Sequence, residues 1–121
     1  MERSHHQLKV WQEAITLVTD IYQLTAGFPR EEVYGLTGQM RRAAVSIPSN
    51  IAEGAARSSP KEFARFLMVA RGSLSELETQ LILAEQLGYA QVPDPLANRV
   101  RTIFRLIAGL IRSSKGESLQ R

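Results

Sequence analysis

The sequence predicts an all-α fold, an antiparallel up-down-up-down four-helix bundle, and three observations indicate it. Apolar residues recur at steps of three and four over four segments, no segment alternates like a strand, and the connections between segments are short. The 121 residues suffice for one domain with its own core, so the chain is predicted to be a single domain, residues 1–121. The expected helices cover residues 8–26, 33–56, 60–87 and 95–112, followed by a flexible tail at 113–121.

The first helix carries two apolar stripes. One consists of Val10, Ala14, Leu17, Ile21 and Leu24, and the other of Trp11, Ile15, Val18 and Tyr22. Together they form an apolar arc wider than a single bundle core usually needs. Gly27 and Pro29 are typical of a helix end.

The second helix contains the most unusual segment of the chain, QMRRAAVSIPSNIAEG at residues 39–54. Pro48 lies inside the helical pattern, where a proline costs about 3 kcal/mol. Because the pattern keeps its phase beyond it, we expect a bent but continuous helix. Asn50 and Glu53 are predicted to be structural: they would satisfy the backbone opened by Pro48 or bond to the third helix near Ser73 or Gln80. A ligand site is the less favoured alternative.

The last two helices have clear starting signals. Ser59, Pro60 and Glu62 form a capping box before a seam with heptad spacing, and Asp94 with Pro95 begins the fourth helix. The third helix also carries apolar residues outside its seam, among them Met68 and Ile82.

The surplus of apolar surface predicts a cyclic homo-oligomer, although these residues would also fill a wide core. The predicted interface consists of Trp11, Ile15, Val18, Tyr22, Met68 and Ile82.

Composition and motifs exclude several function classes. The chain has no cysteine, and no apolar run approaches the roughly 18 residues of a membrane span, so we expect a cytoplasmic protein without membrane contact. His5 and His6 are expected to be solvated or disordered. There are no Glu-x-x-His motifs, phosphate loop or nucleophile elbow. We therefore expect no catalytic residues, no metal, no cofactor and no enzyme activity.

The excess positive charge lies at the end of the chain. Residues 91–121 hold six basic and two acidic residues, net +4, within a chain of net charge +3. At about 100° per residue, three arginines of the fourth helix fall within an arc of about 40°; this arginine stripe is Arg101, Arg105 and Arg112. Lys115 extends it if the helix continues. The stripe suits phosphate contact, and a ring of subunits would repeat it, whereas a solvated face near a helix C-terminus is the alternative.

A second basic group combines two arginines on the second helix with three basic residues across its connection to the third helix. It consists of Arg41, Arg42, Arg57, Lys61 and Arg65, with Glu53 and Glu62 nearby. Ion pairs between subunits are the favoured interpretation. Because no aromatic residues are interleaved for base stacking, little sequence specificity is expected.

Three stretches carry a resemblance to a known family: LKVWQEA at residues 8–14, FPREEVYGLTGQMRRAAVSIPSNIAEGAAR at 28–57 and KEFARFLMVARGSLSELETQLILAEQLGY at 61–89. The chain resembles the four-helix bundle family encoded in intervening sequences of bacterial 23S rRNA genes. The resemblance implies a ring-like homopentamer and relatedness to the accessory protein of diversity-generating retroelements, which partners a reverse transcriptase and binds nucleic acid. It implies no established activity for the intervening-sequence proteins themselves.

Two functions follow as hypotheses. The leading one is a non-enzymatic oligomeric scaffold that binds structured RNA or DNA through phosphates, within a ribonucleoprotein that includes a reverse transcriptase or ribosomal RNA. The rival is a protein-interaction module without nucleic-acid binding.

Overall fold

Four helices make up most of the chain, as the sequence predicts. The computed structural model describes residues 3–119, with side chains over residues 3–114. The helices are α1 (Lys9–Thr25), α2 (Leu36–Ala56), α3 (Pro60–Gln86) and α4 (Asp94–Leu119), and short 3-10 helices span Ser4–Gln7 and Arg30–Glu32. Residues 3–119 contain no strand, so the all-α class is confirmed.

Each helix packs against its neighbours in chain order, α1 against α2, α2 against α3 and α3 against α4, and α4 packs back against α1. The apolar side chains buried between them include Leu17, Met40, Ile47, Leu74 and Ile107. This packing is consistent with a bundle around one core.

The start of α2 differs from the prediction, which placed it at Val33. A 3-10 turn intervenes, and the helix begins at Leu36. The reason is Glu32, whose Oε1 accepts the N–H of Leu36 at 3.0 Å and so caps the helix there. Its Oε2 accepts the hydroxyl of Tyr89 at 2.7 Å.

The ends of α3 follow its sequence signals closely. The Ser59 hydroxyl accepts the N–H of Glu62 at 3.3 Å, and Pro60 occupies the first turn. At the other end Gly88 adopts a φ of 76°, and the N–H of Tyr89 donates to the carbonyl of Ala84 at 2.9 Å. Glycine takes this left-handed conformation without a steric penalty, which ends the helix one residue before the predicted boundary.

The end of α4 was predicted wrongly. The helix continues beyond residue 112 to Leu119, where a flexible tail was expected from residue 113. Ser114 is buried and follows Ile111 by three positions, so it extends the buried row of the helix by one turn.

Candidate nucleic-acid interface

The arginine stripe lies on the outer face of α4. All three side chains are exposed, whereas Val100, Ile103 and Ile107 on the opposite face are buried. Arg101 donates a hydrogen bond to the Asn98 side chain. Within residues 3–114, none of the three arginines forms an ion pair with a carboxylate. Their charges are therefore not neutralised by the described part of their own chain.

The stripe is elongated along the helix axis. Arg101 and Arg112 are eleven residues apart, which corresponds to about 16 Å. Gly109 lies between Arg105 and Arg112, and Nη2 of Arg112 lies 3.9 Å from the position that a Cβ on Gly109 would occupy. The Arg112 guanidinium thus leans back toward Arg105, as helical side chains tend to do.

Arg99 serves a different purpose from the stripe. Its Nε lies 3.0 Å from Oδ2 of Asp20, and its Nη1 lies 2.9 Å from Oε1 of Glu13. Both acids are on α1, and all three side chains are about three-quarters buried. Arg99 therefore links α4 to α1 and contributes little free positive charge.

Lys115 was predicted to extend the stripe. Its backbone belongs to α4, so the helix continues as that prediction requires. Its side chain lies outside the described residues.

Most residues of the second basic group form contacts within their own chain. Arg57 pairs with Glu53 at 3.6 Å, and Arg65 pairs with Glu62 at 3.0 Å. Arg41 lies over the ring of Tyr22, with its Cζ 4.4 Å from the centroid. Arg42 and Lys61 are exposed and form no ion pair within residues 3–114.

The helix α2 runs continuously through Pro48, as expected. Nδ2 of Asn50 donates to the Ser46 carbonyl at 2.8 Å and to the Ser46 hydroxyl at 3.0 Å. The Ser49 hydroxyl donates to the Val45 carbonyl at 2.8 Å. The Ser46 hydroxyl in turn lies 2.9 Å from that of Ser73 on α3. Asn50 is thus connected to α3 through Ser46.

The other two polar residues considered for this network do not join it. Glu53 is exposed, and its carboxylate pairs with Arg57, which directly follows the end of α2. Gln80 is only 4% exposed, and its Oε1 has no hydrogen-bond partner among the described residues.

All but one of the six predicted interface residues fall into two separate surfaces. An α1–α2 groove of about 430 Å³ is lined by Trp11, Ile15, Val18, Val45 and Pro48, among others. Tyr22 lies outside this groove, in an adjacent cavity lined also by Arg41 and Arg42. On α3, two pairs of exposed apolar side chains, Met68 with Val69 and Ile82 with Leu83, lie about 20 Å apart along the helix and are together called the α3 ridge.

From the sequence, His5 and His6 were expected to be solvated or disordered. In the structure both rings instead pack near Trp11. Both are half-buried, with ring centroids 5.3 Å and 4.7 Å from that of Trp11. Desolvation first, and then the neighbouring His6 and Arg3 charges, lower the pKa of His5. Trp11 packs against His5 in an edge arrangement, with an interplanar angle of 71°, and this contact contributes to the desolvation.

A comparison with protein-family models shows which family the chain belongs to. The model of the 23S rRNA-intervening sequence protein family matches residues 6–109. The chain belongs to this family. The match confirms the resemblance inferred from the sequence. A comparison with curated proteins gives no match.

The family match of this 23S rRNA-intervening sequence protein divides the arginine stripe. It covers α1, α2, α3 and α4 as far as Gly109. Arg101 and Arg105 lie inside the matched region, whereas Arg112 lies outside it. The family description names a gene location and carries no information about nucleic-acid binding.

Sequence reasoning missed two polar features of this family member. The Glu32–Tyr89 hydrogen bond joins residues 57 positions apart, and no local pattern signals it. Thr37 is buried, and its spacing of seven from Ala44 and of fourteen from Ile51, which are also buried, was a usable signal.

Proposed function

We propose that this chain is a non-enzymatic oligomeric scaffold that binds structured RNA or DNA through phosphate contacts. The observation that carries the proposal is the arginine stripe, three exposed arginines without a carboxylate partner in the described part of the chain. An arginine contacts two phosphate oxygens at once, so such a row suits a nucleic-acid backbone.

An antiparallel up-down-up-down arrangement of the helices is part of this proposal. Three observations support it. Arg41, early in α2, donates to Thr25 at the end of α1, and Arg99, early in α4, pairs with Asp20, late in α1. Leu8, Gly54 and Leu110 together line one cavity of about 440 Å³.

The scaffold is proposed to be a cyclic homo-oligomer in which the α3 ridge of one subunit packs into the α1–α2 groove of the next. The helices α1 and α3 do not pack against each other, so these surfaces lie on different sides of the subunit. Contacts between two different surfaces generate rings when the rotation closes. Five subunits is the number that the family resemblance implies.

A ring would multiply the effect of the arginine stripe. Each subunit contributes three arginines that have no carboxylate partner within residues 3–114, and the summed potential attracts polyanions more strongly than one subunit does. Such a scaffold would act in the cytoplasm, within a ribonucleoprotein with a reverse transcriptase or ribosomal RNA as candidate components. No helix in the described part of the chain is long and apolar enough to cross a bilayer.

The test is a titration of labelled structured RNA and duplex DNA, followed by fluorescence anisotropy at low and near-physiological salt. The changes Arg101→Gln, Arg105→Gln and Arg112→Gln, made together, are expected to weaken binding at least tenfold. They should also lower the slope of log K against log salt concentration by about 2 to 3 per bound subunit, because fewer counterions are released.

A control variant removes the same charge elsewhere. Lys9, Lys61 and Arg71 are exposed and unpaired within residues 3–114, and their change to glutamine also lowers the net charge by three. Equal loss of binding in both variants would indicate a general charge effect and contradict the stripe as the site.

A protein-interaction module without nucleic-acid binding is the second candidate. The α1–α2 groove and the α3 ridge favour it, because large exposed apolar patches mark protein interfaces. A stable oligomer that binds neither RNA nor DNA at low salt would establish this function over the first.

A further inference from the structure

A cavity of about 260 Å³ lies between the end of α1 and the start of α2, away from the arginine stripe. Two arginines, Arg30 and Arg41, and two threonines, Thr25 and Thr37, contribute to its wall. The residues lining it include no aspartate or glutamate within the described chain. The cavity therefore combines two positive charges with hydroxyl groups and no lining negative charge.

Thr37 is the first indication of a ligand. It is only 5% exposed, and its hydroxyl makes no hydrogen bond with any described residue. Its oxygen is not fully buried, so the hydroxyl is open to the cavity and available as a hydrogen-bond donor. A ligand atom in the cavity would supply a partner for it.

Arg41 is held in place before any ligand arrives. Its Nε donates to Oγ1 of Thr25 at 2.9 Å, and its Nη2 donates to the Tyr22 carbonyl at 3.3 Å. A guanidinium has five N–H donors, so others remain for a ligand. Arg30 is exposed and forms no ion pair within residues 3–114.

The cavity lies beside the start of α2, where the Glu32 carboxylate at Leu36 offsets part of the positive end of the helix. Thr37 is the second residue of the 21-residue helix α2, whose N-terminus carries a partial positive charge. Two acids are close in the sequence: Glu31 directly follows Arg30, and Glu32 is tied to the Leu36 N–H and to the Tyr89 hydroxyl. Neither lines the cavity.

We infer that this cavity binds a phosphate group. Its volume is below the 300–1,000 Å³ of pockets for drug-sized ligands, so a phosphate fits better than a whole nucleotide. Arg30 and Arg41 supply the charge, and Thr37 donates to one oxygen. The group comes either from free phosphate or from a nucleic-acid backbone. The site is distinct from the arginine stripe, so either can fail without the other.

The experiment titrates the ¹⁵N-labelled protein with inorganic phosphate at constant ionic strength, with chloride as the balancing anion, and follows the amide of Thr37. A saturable shift is expected. Thr37→Val keeps the shape and removes the hydroxyl, and it should weaken binding about tenfold. Arg30→Gln should weaken it by a similar factor. The matched control is Arg42→Gln on the same helix, which lies outside the cavity lining and should leave the affinity unchanged.

Absence of a saturable shift at Thr37 would overturn the inference, as would an equal loss in Arg42→Gln and Arg30→Gln. If Thr37→Val does not fold, Arg30→Gln still tests the inference, because Arg30 is exposed and its replacement should not disturb folding. A second arm adds a short single-stranded RNA without terminal phosphates. Competition with inorganic phosphate identifies the backbone as the source, and phosphate binding without competition identifies the free anion; both outcomes support the site.

Discussion

Glu32 connects three parts of the chain through one carboxylate. It caps α2 at Leu36 and accepts the hydroxyl of Tyr89, which directly follows the end of α3. The N–H of Leu36 contributes most to lowering the pKa of Glu32 below its ordinary value of 4.5, and the Tyr89 hydroxyl adds to it. The same bond raises the pKa of Tyr89. The folded protein therefore favours the ionised carboxylate.

Glu32 should consequently make stability depend on pH. A carboxylate whose pKa is lower in the folded state stabilises the folded protein. This stabilisation is fully present above the unfolded pKa of 4.5 and is lost as the pH falls through the folded pKa. We expect the wild type to melt above Glu32→Gln at pH 6, and the gap to shrink toward pH 3. Thermal unfolding followed by circular dichroism at several pH values measures this difference in melting temperature.

Glu31→Gln is the control for this effect. Glu31 is exposed, so its replacement should leave the melting temperature close to that of the wild type at every pH. A gap between wild type and Glu32→Gln that stays constant with pH would contradict the assigned role of the charge.

Residues of the candidate site were predictable to different degrees. The periodicity of a helix was sufficient to place Arg101, Arg105 and Arg112 on one outer face. It was not sufficient to pair Arg99 with Asp20, or Tyr89 with Glu32, because these partners are 79 and 57 positions apart and meet only through packing.

At the scale of the elements, α2 and α3 approach each other closely at Gly54. A Cβ on Gly54 would lie 2.6 Å from Cβ of Phe66 and 3.2 Å from Cδ1 of Phe63. Because the Phe66 Cβ is attached directly to the backbone, it has little freedom to move. The glycine thus sets the distance between the two helices.

Gly54→Ala should therefore destabilise the protein. Overpacking typically costs about 1–3 kcal/mol, while the better helix propensity of alanine returns about 1 kcal/mol. We expect a net loss of up to about 2 kcal/mol in the free energy of unfolding, measured by urea denaturation.

The control lies inside α3. A Cβ on Gly72 would meet nothing within 4 Å, so Gly72→Ala should stabilise by about 0.5–1 kcal/mol through helix propensity alone. If both variants changed stability in the same direction, close packing at Gly54 would not be the cause.

Helix boundaries were predictable wherever the signal is local. Ser59 with Pro60, and Gly88, gave the ends of α3 to within one residue. The start of α2 depends on the Glu32 side chain, and the continuation of α4 past residue 112 is accompanied by burial of Ser114. Both follow from packing that a single segment does not reveal.

At the scale of the whole molecule, the α3 ridge gives a test of assembly. Ile82 is 55% exposed, so Ile82→Glu should cost the isolated subunit little. A charge within an apolar contact would not be tolerated, so we expect a shift from oligomer to monomer. Light scattering after size exclusion, at several protein concentrations, measures it.

Tyr34 provides the comparison. It is 94% exposed and belongs neither to the groove nor to the ridge, so Tyr34→Glu should leave the mass unchanged. If the Ile82→Glu variant formed assemblies of the same mass as the wild type, the α3 ridge would not be part of the contact between subunits.

The fold class was predictable because it depends on periodicity alone. Leu67, Leu74 and Leu81 repeat at seven residues, and all three are buried in the structure. Assembly was not predictable in this way. The same exposed side chains, such as Ile82, satisfy the pattern whether or not a second subunit covers them.

Pro48 has a consequence for how this protein can evolve. Its ring weakens α2 and also forms part of the wall of the α1–α2 groove. Replacement by alanine would strengthen the helix and reshape the groove in a single step. Selection for a more stable subunit would therefore favour replacement of Pro48, whereas selection for an unchanged groove would favour its retention.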